Sequence, residues 1–118
     1  MKAMEGVQNV CWSDLPEENV FPGVTRQRLD TPRMSVVRYR YDPGAHFPTH
    51  SHPQEQLVLV LSGEIEFTVA NRQVPVAAGS VLVIPPRIIH SARVLSTAQV
   101  DTINVLSPRR TSEITLTS

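Results

Sequence analysis

Ten prolines and five glycines interrupt a chain of 118 residues at short intervals, and that spacing leaves no room for a long amphipathic helix. The segments between the breaks are rich in Val, Ile, Leu, Tyr and Thr, residues that suit a pleated, half-buried surface. Strands are expected at Thr25–Leu29, Ser35–Tyr41, Gln56–Ser62, Glu64–Ala70, Ser80–Ile84, His90–Leu95 and Val100–Ser107. One helical turn is expected within Ser13–Asn19, where Ser13 or Asp14 can cap it and Pro16 is tolerated in a first turn. Many short strands with turns between them imply an all-β sandwich or barrel, and closure removes the open edges along which strands aggregate. A jelly-roll β-barrel is the expected fold.

With 41% hydrophobic residues the chain can bury one core but not two. One domain over 1–118 is expected, ending in a loose polar tail at Thr111–Ser118. Eleven basic residues balance eleven acidic ones, so the positive footprint of a nucleic-acid binder is missing. The amino terminus lacks the apolar centre of a signal peptide, and no run reaches the length of a membrane span. A cytoplasmic protein is expected. The single cysteine, Cys11, cannot close an intrachain disulfide and is expected as a half-buried apolar filler.

The run Gln56-Leu-Val-Leu-Val-Leu-Ser is apolar at both parities. One face should line the barrel and the other should meet a second layer. Either a second copy of the chain, giving a homodimer, or the chain's own amino-terminal strand would supply that layer.

Three of the four histidines fall between residues 46 and 52, and the fourth is His90. In an extended chain alternate side chains share a face, so His50 and His52 project together and Gln56 has the same parity. His90 follows Val-Ile-Pro-Pro-Arg-Ile-Ile, where a neighbouring strand can bring it to the same point. Imidazoles and an amide oxygen in this pattern suit one borderline divalent ion, with zinc, manganese, nickel and iron all open. Glu55 has the opposite parity and would replace Gln56 only through a β-bulge near Pro53. His46 shares parity with His50 and is expected at the barrel mouth, in contact with substrate.

These residues resemble the cupin superfamily, whose first motif reads Gly-x5-His-x-His-x3-Glu-x6-Gly and whose second reads Gly-x5-Pro-x-Gly-x2-His-x3-Asn. Gly44, His50, His52 and Gly63 fall in register with the first motif, with Gln56 at the usual Glu. Gly79, Pro85 and His90 match the second, with Arg87 at the usual Gly and Val94 at the usual Asn. The resemblance implies a cupin jelly roll holding one metal ion. Within that superfamily His-Ser-His-Pro-Gln-Glu-Gln, Leu-Ser-Gly-Glu-Ile-Glu-Phe-Thr-Val and Leu-Ser-Pro-Arg-Arg look like the small pectin-degradation cupins. Their metal set is three His and one Gln, and they are associated with converting unsaturated monouronates toward the linear ketone. Similar His/His/Gln/His sites occur in small polyketide cyclases.

With Gln56 as fourth ligand every protein donor is neutral, so the ion keeps its full charge and favours a small oxygen-rich anion as partner. Arg110 matches the family's Arg after Ser-Pro and can grip a carboxylate, unless it is a surface residue. The acid usual three positions before Ser-Pro is here Asn104, so a general base is missing unless Asp101 substitutes through a strand irregularity. Arg38 and Arg40 share a strand face; inward they would clamp an anion, outward they would only solubilise. Three readings follow. One is a metal-dependent isomerase, cyclase or lyase acting on an anion such as an unsaturated sugar acid. Another is a binding or sensor module without turnover, and the third is a metal-dependent dioxygenase.

Overall fold

The computed structural model describes residues 6–110 together with the backbone of Thr115 and Leu116. A 3-10 turn at Trp12–Asp14 precedes strands β1 (Glu18–Phe21), β2 (Val24–Asp30), β3 (Ser35–Tyr41), β4 (His46–Ser51), β5 (Glu55–Ser62) and β6 (Glu64–Val69). Strands β7 (Arg72–Ala77), β8 (Val81–Ile84), β9 (His90–Val94), β10 (Val100–Ser107) and β11 (Thr115–Leu116) complete the order. They form two antiparallel sheets, β1-β2-β3-β10-β5-β8 and β11-β4-β9-β6-β7. This is the expected all-β jelly roll, and each expected strand is present to within one residue at either end.

The differences lie at the additions. The helical turn expected over Ser13–Asn19 is shorter and earlier, and no side chain caps it; Glu18 and Asn19 already belong to β1, paired with β2. Strands β4 and β7 were not expected. Within the stretch read as a loose tail, the backbone of Thr115–Leu116 pairs with Ser51 and His50 of β4, and the rest of 111–118 lies outside the described residues. Cys11 is exposed rather than half-buried, because the amino-terminal segment runs along the outside of the sheet.

Alternation decides which side chains reach the interior. On β3, Val37, Tyr39 and Tyr41 are buried while Val36, Arg38 and Arg40 stay at the surface. On β10, Val100, Thr102, Asn104 and Leu106 are buried. On β5, Gln56, Val58 and Val60 face inward. From the second sheet Phe47, Ile65, Phe67 and Ala92 close the core, which burial of apolar surface stabilises. Between β5 and β6 the chain turns at Gly63, whose φ is +82°. A Cβ there would sit 2.8 Å from Val100 Cγ2 and 3.1 Å from the Gln99 carbonyl, so only glycine fits.

The outer face of the first sheet has two halves. Over β2 and β3 lies the amino-terminal segment: Gln27 Nε2 donates to the carbonyls of Trp12 (2.7 Å) and Leu15 (3.0 Å). The Trp12 ring lies 5.7 Å from the Arg38 guanidinium carbon, a cation–π contact. Beyond them Leu61, Val81 and Val83 on β5 and β8 are exposed. Among the described residues no helix is long and apolar enough to cross a membrane.

Candidate metal centre

Strand β4 pairs with β9 so that Phe47 faces Ala92 and His50 faces His90. Three steps along β4 match two along β9, so Pro48–Thr49 form a β-bulge. The bulge has two consequences. It reverses parity, so His46 is exposed on the outside instead of lining the barrel mouth beside His50. It also turns the Pro48 carbonyl toward His50, whose Nδ1 donates to it at 2.7 Å. His52 keeps the parity of His50, and Gln56 points inward at the start of β5 while Glu55 is exposed.

His50, His52 and His90 are all buried, and one ring nitrogen from each lies within 4.8 Å of the others. His90 Nδ1 meets the Ile88 carbonyl at 2.8 Å and His52 Nδ1 the Gln54 carbonyl at 3.1 Å. A carbonyl only accepts, so each Nδ1 carries the proton and each Nε2 is left with a lone pair. That pattern is the one by which proteins orient metal-ligating imidazoles. His90 Nε2 is buried and has no hydrogen-bond partner among the described residues. His52 Nε2 lies 2.9 Å from Gln56 Oε1, so both of its ring nitrogens face oxygen acceptors, which a neutral imidazole with one N–H cannot satisfy. A buried cluster of lone pairs without protons is costly, and one cation resolves it. The residues therefore fit a metal ion held by the three imidazoles.

Protons are disfavoured there. Burial pushes His50 down to about 3, with the neighbouring His90, His52 and Arg110 adding to it. Burial, with His52 adding to it, also pushes His90 down to about 4, and burial lowers His52. Neutral imidazoles are the form that binds metal.

The nitrogens open on a cavity of about 20 Å3 lined by Tyr39, Tyr41, Phe47, Phe67 and Leu106 together with Gln56 and Arg110. Arg110 is 2% exposed, and its Nη1 donates to the Tyr39 hydroxyl at 3.3 Å. Its backbone is tied down by Ser35 Oγ, which accepts from its N–H at 3.0 Å, and by Arg28 Nη2, which donates to its carbonyl at 2.7 Å. Among the described residues, none lining this cavity carries a carboxylate.

Asp101, Arg38 and Arg40 are not part of it. Because Val37, Tyr39 and Tyr41 fill the interior, both arginines face outward, the second of the two alternatives, and no anion clamp forms at the cavity. Arg38 Nε and Nη2 donate to the two oxygens of Asp101 at 3.0 and 2.6 Å, and Arg40 Nη1 donates to Gln27 Oε1 at 3.1 Å. The irregularity that would have turned Asp101 inward is absent at its pairing with Arg40 of β3. A register shift does follow Asp101 on the β5 side, yet the carboxylate remains on the outer face with Arg38.

Arg87 stands where the resembled motif has Gly and adopts φ +66°. Its backbone N–H donates to the His52 carbonyl at 2.8 Å, so the β8–β9 loop clips the histidine segment in place. Sequence reasoning missed Tyr39 as a cavity residue, although its alternation with Arg38 and Arg40 carried the signal.

A metal-type centre inside a two-sheet jelly roll defines the class of protein. The family model described as a Cupin domain matches residues 37–106, and the chain belongs to that family. It is 34% identical over 98 residues to germin-like protein 1-1 of Oryza sativa subsp. japonica, which covers 76% of this chain and 43% of that protein. The chain thus spans less than half the length of that relative. Among solved structures it is similar to KdgF from Halomonas sp., with 25% identity, a TM-score of 0.81 and coverage of 89% of this chain and 96% of that one. The polyketide cyclase RemF from Streptomyces resistomycificus shares the fold, with 20% identity, a TM-score of 0.79 and coverage of 96% and 87%.

Proposed function

We propose that the protein is a metal-dependent isomerase, cyclase or lyase acting on a small oxygen-rich anion, an unsaturated sugar acid being the first substrate to test. His50, His52, His90 and Gln56 would hold one divalent ion. The observation that carries the reading is the charge of the site: neutral imidazoles, a neutral amide and the buried Arg110 guanidinium meet at one cavity with no carboxylate among its described lining residues. A divalent ion held by neutral donors keeps its full charge, which an anion would offset. The likeness to KdgF and the Gln at position 56 support the substrate class.

A divalent ion bound there supplies Lewis-acid polarisation of a carbonyl or enol oxygen. Arg110 receives the substrate carboxylate, its fork aimed by the contact with Tyr39. The Tyr39 hydroxyl beside that guanidinium is the protic group placed to hold a proton for transfer. Phe47, Phe67 and Leu106 exclude water.

The test is turnover of an unsaturated monouronate, followed by loss of its unsaturated chromophore, in metal-loaded wild type and in His50→Ala. Turnover confined to the loaded wild type is expected. Equal turnover in metal-free His50→Ala would overturn the reading. A second reading, a ligand-binding module without turnover, is favoured by the absence of a carboxylate base among the described cavity residues. Saturable calorimetric binding of the same uronate with no product would select it.

A further inference from the structure

We propose that Asn104 is a positioning residue that fixes which atom Gln56 presents to the three histidines, making the fourth donor a neutral amide oxygen. The role in metal binding rests on the reading of the site above; the orientation itself does not.

A chain of hydrogen bonds runs inward from the backbone of β3. Thr102 Oγ1 donates to the Tyr39 carbonyl at 3.0 Å, which commits its only proton. Asn104 Nδ2 then donates to that same Oγ1 at 2.9 Å and to the Val37 carbonyl at 3.2 Å. The Val37 carbonyl only accepts, and the Thr102 proton is committed to the Tyr39 carbonyl, so reversing the amide sets Oδ1 against Val37 and pulls the Thr102 proton from its partner. Asn104 is 2% exposed and Thr102 1%, so water cannot relieve such a clash. Asn104 Oδ1 must therefore face Gln56, and it accepts from Gln56 Nε2 at 2.9 Å. With its nitrogen taken, Gln56 has its oxygen left for the histidines, 2.9 Å from His52 Nε2.

Register makes the contact possible. Gln56 pairs with Leu106 and Asn104 with Val58, so the two amides are diagonal neighbours on one face. The same logic selects against a glutamate at 56, whose second oxygen would meet Asn104 Oδ1 with no proton between them. Asn104 thus does a different job from the acid usual at its position: it supplies an acceptor whose direction its contacts with Val37 and Thr102 determine.

The experiment has two arms. In metal-free protein, 15N NMR of the Gln56 side-chain amide should show slow hydrogen exchange in wild type. Asn104→Leu should lose that protection. In a cobalt titration, Asn104→Leu should weaken binding about 10- to 100-fold and alter the visible ligand-field spectrum. In a Gln56→Ala background the same Asn104→Leu change should have no effect on affinity. An unprotected Gln56 amide in folded wild type overturns the proposal. So does an Asn104→Leu penalty of equal size with and without Gln56, since the residue would then act on the fold alone. Failure of wild type to bind cobalt sinks the metal reading, while the NMR arm still decides the orientation.

Discussion

His50 and His90 face each other across the β4–β9 ladder with ring centroids 4.1 Å apart and planes inclined at 60°. Two imidazoles this close inside a protein tolerate each other only while neutral. Burial, with His90 adding to it at His50 and His52 adding to it at His90, places His50 near 3 and His90 near 4, below the usual 6.5. The unfolded chain therefore binds more protons than the folded one between about pH 6.5 and those values. Stability from these groups is complete above pH 6.5 and is lost as pH falls through the window, on the order of 1 kcal/mol per pH unit for each histidine. Metal-free protein should show Tm falling between pH 7 and pH 4, with a shallower slope in His90→Gln. A flat profile would contradict the burial argument.

The Arg38–Asp101 ion pair lies on the other side of the sheet from the histidines. Asp101→Ala should leave metal content unchanged and leave any turnover intact, while bringing Arg38 and Arg40 together without their shared carboxylate. The stability cost should be about 1 kcal/mol, because both partners are partly exposed and solvent screens the pair. Chemical denaturation alongside elemental analysis separates the two effects. Loss of metal or of turnover in this variant would return Asp101 to the site.

Arg87 is held at φ +66°, a conformation that costs a side chain with a Cβ about 1 kcal/mol relative to glycine. Glycine brings an entropic cost of its own in the unfolded chain. Arg87→Gly should therefore change stability by less than about 1 kcal/mol and keep the N–H contact to the His52 carbonyl. Metal affinity should stay within a few-fold of wild type. A large loss of affinity would mean that the Arg87 side chain, not its backbone, serves the site.

How much of this was legible in the sequence depended on distance along the chain. The strands built on apolar or β-branched alternation could be read directly. β7 could not, because Pro75 interrupts the pattern, a placement tolerated at a sheet edge; β7 pairs only with β6. The hairpin before it turns through Ala70 and Asn71, both at positive φ, and lacks the Asn-Gly signal. β4 carries histidines, a proline and a bulge, and its strand character comes from pairing with β9. The cluster of His50, His52 and His90 was legible from spacing and motif. His46 was misplaced because one inserted residue reverses parity, and nothing local announces a bulge. Arg38, Arg40 and Asp101 were ambiguous because alternation gives two faces without saying which is inside. The role of Asn104 was illegible because its acceptors and its donor partner lie 48 to 67 residues away, apart from Thr102.

Arg110 provides the sharpest separation of substrate binding from metal binding. Its charge is among the causes that hold His50 and His52 below the usual imidazole range, so it repels a metal ion as well as protons. Among the described residues it is also the cationic side chain lining the cavity, placed to meet an anion. Arg110→Ala should therefore move two affinities in opposite directions. Metal binding should tighten, and the pH at which acid releases the metal should shift upward only to the extent that proton affinity rises faster than metal affinity. Binding of a carboxylate ligand should weaken about 10-fold or more, the worth of charge-assisted hydrogen bonds in a buried site. Arg110→Lys keeps the charge without the fork, so it should leave metal affinity near wild type and recover only part of the carboxylate binding. Because Arg110 also anchors Ser35 and Arg28 through its backbone, those contacts survive either substitution. Parallel loss of metal and carboxylate binding in Arg110→Ala would show that the side chain holds the cavity open rather than recognising an anion.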